Sequence, residues 1–296
     1  MWEEFELWAE TYRKPFIQRS TYIKYERTTE MLKDHFDNEG SDLVKRIDLQ
    51  RFFNELSAKY GHRTIKTIYH NVAAFYQSLV DDGAIDRNPM NNIRFTGVEK
   101  EKKRKYLEVE DVKKLVASLD LDDQRDLMIY VALKTGMRFA EVLGVTPDDL
   151  IDHDGSYLLS INKTLDYKYT KQFKSTKTKT SVRDISIDKE VFDCLMSLAK
   201  KKAIGSDESI FGVEYPAQLN KLLMAKCKAI GADPISFHGL RHTHCSLLLR
   251  DGIPIISVSK RLGHSDTTVT QKVYTHLMSE QEHEDNASIV KLLEAI

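Results

Sequence analysis

The stretch from His238 to Tyr274 constrains the chain most, because it places His238, Arg241, His242, His264 and Tyr274 in one short, largely helical segment. Three residues apart, His238 and Arg241 share one face of a helix, while Leu240, Leu247 and Leu248 are placed to bury the other side. A helix of this kind aims polar groups from a packed wall and requires a larger body to pack on. Asp251-Gly252 and Pro254 break it. A second helix then runs to Leu262-Gly263-His264, where the glycine suits a C-terminal stop. His264 is therefore expected at a helix-loop junction. Tyr274 follows in Lys272-Val273-Tyr274-Thr275-His276, a surface-helix sequence unless its hydroxyl is used.

A chain of 296 residues is long enough for two domains with cores of their own. Hydrophobic residues at 41% and charged residues at 30% place it among globular rather than disordered or membrane chains. No run approaches the roughly 18 apolar residues needed to cross a bilayer. The acidic start, Met1-Trp2-Glu3-Glu4-Phe5-Glu6, lacks the basic and apolar regions of a signal peptide, so a cytoplasmic protein with no membrane partner is expected. Cys194, Cys227 and Cys245 are odd in number and far apart, and read as reduced core cysteines.

The charge balance, 44 basic against 45 acidic residues, lacks the positive excess usual in nucleic-acid binders. Binding depends on where the cations lie, however. Lys163, Lys168, Lys171, Lys174, Lys177, Lys179 and Arg183 accompany a single acid, Asp166, and Lys102, Lys103, Arg104 and Lys105 form a second cluster. A solvated surface is the plain alternative for each.

Taken in order, residues 1–97 show apolar spacings of three and four over Trp2 to Thr11, Ser20 to Phe36, Asp48 to Tyr60 and Arg63 to Val80, which predict an all-helical domain. Lys24, Arg63 and Lys66 are candidate phosphate contacts there. Residues 98–106 are basic and nearly devoid of apolar side chains, and read as an interdomain linker. Residues 107–296 form the second expected domain. Its first helices, about Val109 to Leu119 and Asp122 to Thr135, read as amphipathic, with Gly136 a stop before Arg138 opens another. Arg138 and Glu141 then share a face, which an ordinary surface ion pair also explains. Tyr157 to Asn162 and Val182 to Ile187 are rich in β-branched and apolar residues and predict two strands of a small sheet. Scaffold helices follow at about Lys189 to Lys202 and Tyr215 to Ile230. The fold class expected is mainly α with a small antiparallel β-sheet (α+β).

In order and spacing these residues resemble the tyrosine recombinase (integrase) family. His238-Gly239-Leu240-Arg241 matches its H-x-x-R box, Leu262-Gly263-His264 its L-G-H, Tyr274 its nucleophile, and Thr135-Gly136-Met137-Arg138-Phe139-Ala140-Glu141 the segment of its first catalytic arginine. The resemblance implies a helical, SAM-like core-binding domain over 1–97 and a catalytic domain over 107–296. It also implies a catalytic lysine at the turn of the hairpin, with Lys177 the closest match and Lys179 the alternative. Lys102, Lys103, Arg104, Lys174 and Lys179 join Lys24, Arg63 and Lys66 as expected DNA contacts.

By that resemblance, Arg138 and Arg241 clamp a scissile phosphate, whose oxygens suit arginine's planar fork. His238 takes the proton of Tyr274 and Lys177 protonates the departing 5′ oxygen. His264 donates to a non-bridging oxygen, and Glu141 orients the arginine or lysine side. No metal or other cofactor is called for. The implied function is site-specific recombination of double-stranded DNA by a homotetramer whose C-terminal helix, with its stripe Ile289, Val290, Leu292, Leu293 and Ile296, docks on a neighbour. Accessory DNA-bending or excision factors are possible partners of such an enzyme. A type IB topoisomerase-like nicking-closing enzyme and a catalytically silent DNA-binding regulator are the alternatives. Zinc held by His238, His242, His244 and His264 is a weaker reading, since no Glu follows His238 as in H-E-x-x-H and zinc explains neither arginine nor Tyr274. His242 and His244 are instead expected to be satisfied partners within the fold.

Overall fold

The computed structural model describes residues 1–36, 44–99, 105–176, 179–264, 266–268 and 270–271. Tyr274, Lys177, Lys102, Lys103, Arg104, the side chain of Lys179 and the stripe Ile289, Val290, Leu292, Leu293 and Ile296 lie outside them. The chain divides into two compact units, Met1–Lys102 and Lys103–Ile296.

The first unit is built from α1 (Trp2–Tyr12), α2 (Arg19–Phe36), α3 (Arg46–Lys59) and α4 (His62–Asp81). Each of these helices lies within a residue or two of the span expected from apolar spacing. Their apolar faces meet in a core rich in aromatics, including Phe5, Trp8, Leu32, Phe52, Phe53, Val72 and Phe75. Phe5 and Phe75 meet edge to face at 5.6 Å, a geometry that adds about 0.5–1.5 kcal/mol to area burial. Buried Asn71 of α4 donates to Thr28 Oγ1 of α2 at 3.0 Å, which satisfies two polar groups inside the apolar contact.

The second unit is organised around α6 (Gln124–Thr135), with α5 (Val109–Ala117), α7 (Phe139–Val142), α8 (Lys189–Lys201), α9 (Pro216–Ala229), α10 (Phe237–Arg250) and α11 (Ile255–Leu262). Asp123 caps α6 by accepting from the backbone of Arg125 and Asp126 at 2.9 and 3.0 Å. From Leu127 to Leu133 every residue of α6 is buried. The amphipathic reading of this helix is therefore corrected. Helices α7, α8, α9 and α10 all pack on it, so it has no wet face to encode.

A three-stranded antiparallel sheet runs in the order β1 (Leu150–His153), β2 (Ser156–Ile161), β5 (Arg183–Ser186). The two expected strands are β2 and β5, paired with Leu159 opposite Ile185. Between them the chain forms a separate ribbon of β3 (Lys163–Leu165) and β4 (Phe173–Ser175), which lacks an apolar signature. The cysteines are free as expected, although Cys194 is only partly buried. Tyr106 is buried with Cys245, Leu249, Val258 and Leu262 in a small cluster beneath α10 and α11.

Candidate active site

The site begins where α6 ends. Gly136 stops the helix at φ 68°, and a Cβ there would come within 2.7 Å of both Leu262 Cδ2 and His244 Cδ2. Glycine is required on both counts. The chain then reverses into Arg138, which caps the short helix α7. The Arg138 backbone N–H donates to Glu141 Oε2 at 2.8 Å, its Nη1 donates to Glu141 Oε1 at 2.6 Å, and its Nη2 donates to the carbonyl of Gly263 at 3.2 Å. Glu141 is thus not a surface partner: it is 2% exposed, whereas Arg138 keeps 38% of its side chain accessible.

Arg241 rises from α10 into the same region. Its Nη1 donates to the carbonyl of Gly136 at 2.7 Å and its Nη2 to that of Leu262 at 2.6 Å. Apart from the Glu141 carboxylate, the acceptors used by the two arginines are the terminal carbonyls of α6 and α11. Such groups lack helical partners and carry the negative end of the helix dipole. Sequence spacing brought the arginines onto helices; the helix ends fix where their forks lie. Among the described residues, two of the five N–H groups of each guanidinium are engaged within the protein, which leaves donors for an anion. Burial, then the charge of Arg138, pushes the Arg241 guanidinium down to about 9, and it remains a cation at neutral pH.

Gly263, at φ 66°, ends α11 and delivers His264. The His264 Nδ1 lies 2.8 Å from Thr270 Oγ1. Burial and the surrounding Arg241, Arg138 and Arg183 push its imidazole down to about 4. His238, on an exposed part of α10, is lowered by partial burial and by Arg241, Arg138 and Lys105. Its ring stands edge to face with His242 at 4.9 Å. His244 is a satisfied partner as expected: its Nδ1 donates to the carbonyl of Leu133 at 2.8 Å, and its Nε2 accepts from Arg261 Nε at 3.1 Å. With both nitrogens engaged, it is no metal ligand.

Sequence reading missed Arg183 as part of this site and took it as one of a basic run. Its side chain is buried and donates to both oxygens of Glu141, at 3.4 and 3.0 Å, and to the carbonyls of Ser181 and Arg261 at 2.8 and 2.6 Å. The available signal was strand alternation, since Arg183 shares the buried face of β5 with Ile185. Three lysines of the run are also engaged internally: Lys163 pairs with Asp149 at 2.5 Å, Lys174 with Asp166 at 2.6 Å, and Lys171 donates to the Tyr215 hydroxyl at 2.8 Å. Lys24, Arg63 and Lys66 in the first unit are exposed.

Chemically, this is a cationic locus. Arg138 and Arg183 bind the one carboxylate, Arg241 is anchored on the neighbouring helix ends, and burial with these positive charges lowers the imidazoles of His238 and His264. It suits a phosphodiester, whose charge and planar oxygens match arginine forks.

The family model described as "Phage integrase family" matches residues 105–281, more than half of the chain. The chain belongs to this family. It is a site-specific tyrosine recombinase, and all the described site residues fall inside the matched span. Among relatives of this integrase, a tyrosine recombinase XerC-like protein of Caldanaerobacter subterraneus subsp. tengcongensis is 27% identical, over 91% of this chain and 76% of that one. The ICEBs1 integrase of Bacillus subtilis is 26% identical over the same shares. The Tn1549 transposon integrase, solved with transposon right end DNA, superposes with a TM-score of 0.73 at 19% identity, over 95% of this chain and 98% of that one, which shows a common fold.

Proposed function

We propose that this integrase cuts and rejoins double-stranded DNA at a specific site through a 3′-phosphotyrosyl link to Tyr274, with neither metal nor ATP. The observation that carries this reading is the pair Arg138 and Arg241, anchored on helix-end carbonyls beside His238 and His264. Two preorganised forks can stabilise the added charge on the non-bridging oxygens as the phosphorus becomes five-coordinate. The Tyr274 oxygen attacks phosphorus while His238, held neutral, takes the phenolic proton. The P–O5′ bond breaks and the leaving alkoxide takes a proton from Lys177, or from Lys179. His264 donates to a non-bridging oxygen. The ester energy is retained in the tyrosyl link, so a second 5′ hydroxyl reverses the steps on a new strand.

The unit Met1–Lys102 serves as the core-binding domain, with Lys24, Arg63, Lys66 and Lys102 on phosphates, joined by Lys103, Arg104, Lys174 and Lys179 from the second unit. Replacing Arg63 and Lys66 by Gln is expected to weaken DNA binding and to flatten its salt dependence, by roughly 0.9 in the log-log slope per lost phosphate contact. An unchanged slope would remove both from the interface. Strand exchange proceeds in a homotetramer, with the stripe Ile289, Val290, Leu292, Leu293 and Ile296 docked on the neighbouring protomer. Kinship with integrases of mobile elements favours recombination over the nicking-closing alternative. The test is to trap the protein on DNA, digest it, and identify the modified residue and the attached strand. A 3′-phosphate on Tyr274 at one recurrent DNA sequence is expected. Attachment through a 5′-phosphate or another residue would overturn the mechanism, and attachment without recurrent sequence would return the topoisomerase reading.

A further inference from the structure

The buried carboxylate of Glu141 poses a charge problem. Held by Arg138 alone, at 2.6 Å, it would neutralise the arginine that has to meet the phosphate. The fold supplies a second cation for it. Arg183 reaches Glu141 Oε2 at 3.0 Å from the far side, with its own side chain 6% exposed. It is fixed there by the carbonyls of Ser181 and Arg261. It lies against the turn at Gly263, where an added Cβ would stand 2.9 Å from its Nη1. Of the two arginines only Arg138, 38% accessible, can face a ligand. Two guanidinium groups and one carboxylate leave one net positive charge, and the exposed member presents it.

We propose that Arg183 is a positioning residue that offsets the charge of Glu141, so that Glu141 orients Arg138 while Arg138 keeps its charge for the scissile phosphate. Through the Arg261 carbonyl, the same side chain also secures the end of α11, whose Gly263 carbonyl receives Arg138. The inference rests on the reading of Arg138 as a phosphate clamp. Without Arg183 the carboxylate and Arg138 close into a neutral pair, and charge forming on the phosphate loses its nearest exposed cation.

The test compares single-turnover cleavage of an oligonucleotide carrying the mapped site as a phosphodiester with the same duplex carrying a methylphosphonate at the scissile position. The methylphosphonate lacks the anionic oxygen that the clamp neutralises. On the phosphodiester, Arg183→Gln is expected to slow cleavage roughly 10²-fold, narrowing to within about threefold on the methylphosphonate, the range set by loss of one transition-state donor. Arg183→Lys, which keeps the charge, is expected to lose much less. A structural defect would fall equally on both substrates, and that outcome, or Arg183→Lys as poor as Arg183→Gln, overturns the proposal. Arg138→Ala distinguishes the underlying reading. If its defect does not narrow on the methylphosphonate, the clamp assignment fails; if it narrows while Arg183→Gln does not, only the role of Arg183 fails. Should Arg183→Gln not fold, the double variant Glu141→Gln with Arg183→Gln removes the unpaired buried carboxylate and takes its place. It is expected to cleave the phosphodiester far better than Arg138→Ala, and cleavage as weak as Arg138→Ala contradicts the charge account.

Discussion

Glu141 binds Arg138 twice, accepting from its backbone N–H at 2.8 Å and from its Nη1 at 2.6 Å, so that one carboxylate both starts α7 and aims the guanidinium that this helix presents. Burial alone would raise this carboxyl, but the hydrogen bond and charge of Arg183, followed by those of Arg138, outweigh it and hold it below its ordinary 4.5. A folded value below the unfolded one stabilises the protein above the unfolded pKa, and that contribution is lost as the pH falls through the folded value.

Glu141→Gln is therefore expected to destabilise the protein at pH 7 by roughly 3–5 kcal/mol, the usual cost of removing one member of a buried ion pair. It should also flatten the loss of stability below pH 4.5, the carboxyl's ordinary value. Denaturant unfolding at pH 7 and pH 4 checks both. Equal losses for parent and variant between the two pH values would show that Glu141 is not the titrating group.

Gly263→Ala is expected to be costly without altering any functional group. The left-handed backbone at φ 66° and the approach to Arg183 Nη1 and Thr180 O, at 2.9 and 3.1 Å from an added Cβ, both oppose it. The backbone penalty alone is about 1–2 kcal/mol. Melting should fall accordingly, and cleavage should fall further still because His264 follows directly. Normal cleavage in a folded variant would show that the turn tolerates displacement.

Most of the fold was legible because it rests on local periodicity. The four helices of the first unit followed from their apolar stripes, as did α10 and α11, whose end at Gly263 was announced by the glycine itself. Helix α6 was placed, but its surroundings were misjudged, since a helix buried on all sides differs from an amphipathic one through contacts distant in sequence. Strands β1, β3 and β4 were missed. Each is only three or four residues long, and β1 and β4 are mostly exposed, so pairing rather than composition specifies them. In the site, Arg138, Arg241, His238 and His264 were singled out by resemblance to the family's motifs, and the bland readings of each stayed open on spacing alone. The carbonyls that aim the arginines, and the burial of Arg183 against Glu141, arise from tertiary packing and leave little local trace.

The histidines set the pH response. His264, His242 and His244 are pushed down to about 4, chiefly by burial, with positive neighbours adding to it. Because the unfolded chain then binds more protons below its ordinary histidine value of about 6.5, stability is expected to rise with pH between about 4 and 6.5 and to level off above. Ring-proton NMR should place the His264 midpoint near 4. His238 is also lowered, so as the proton acceptor it gives cleavage an acidic limb below pH 6.5. A limb centred at or above that value would assign the base elsewhere.

The central claim is that the cationic site formed by Arg138, Arg241, His238 and His264 serves a covalent attack by Tyr274. It is tested most directly with a nicked suicide duplex carrying the mapped site, comparing the parent with Tyr274→Phe for DNA binding by mobility shift and for covalent adduct on a denaturing gel. The expected result is unchanged binding with complete loss of the adduct in Tyr274→Phe, because only one hydroxyl is removed. A persistent covalent adduct in that variant would contradict the account.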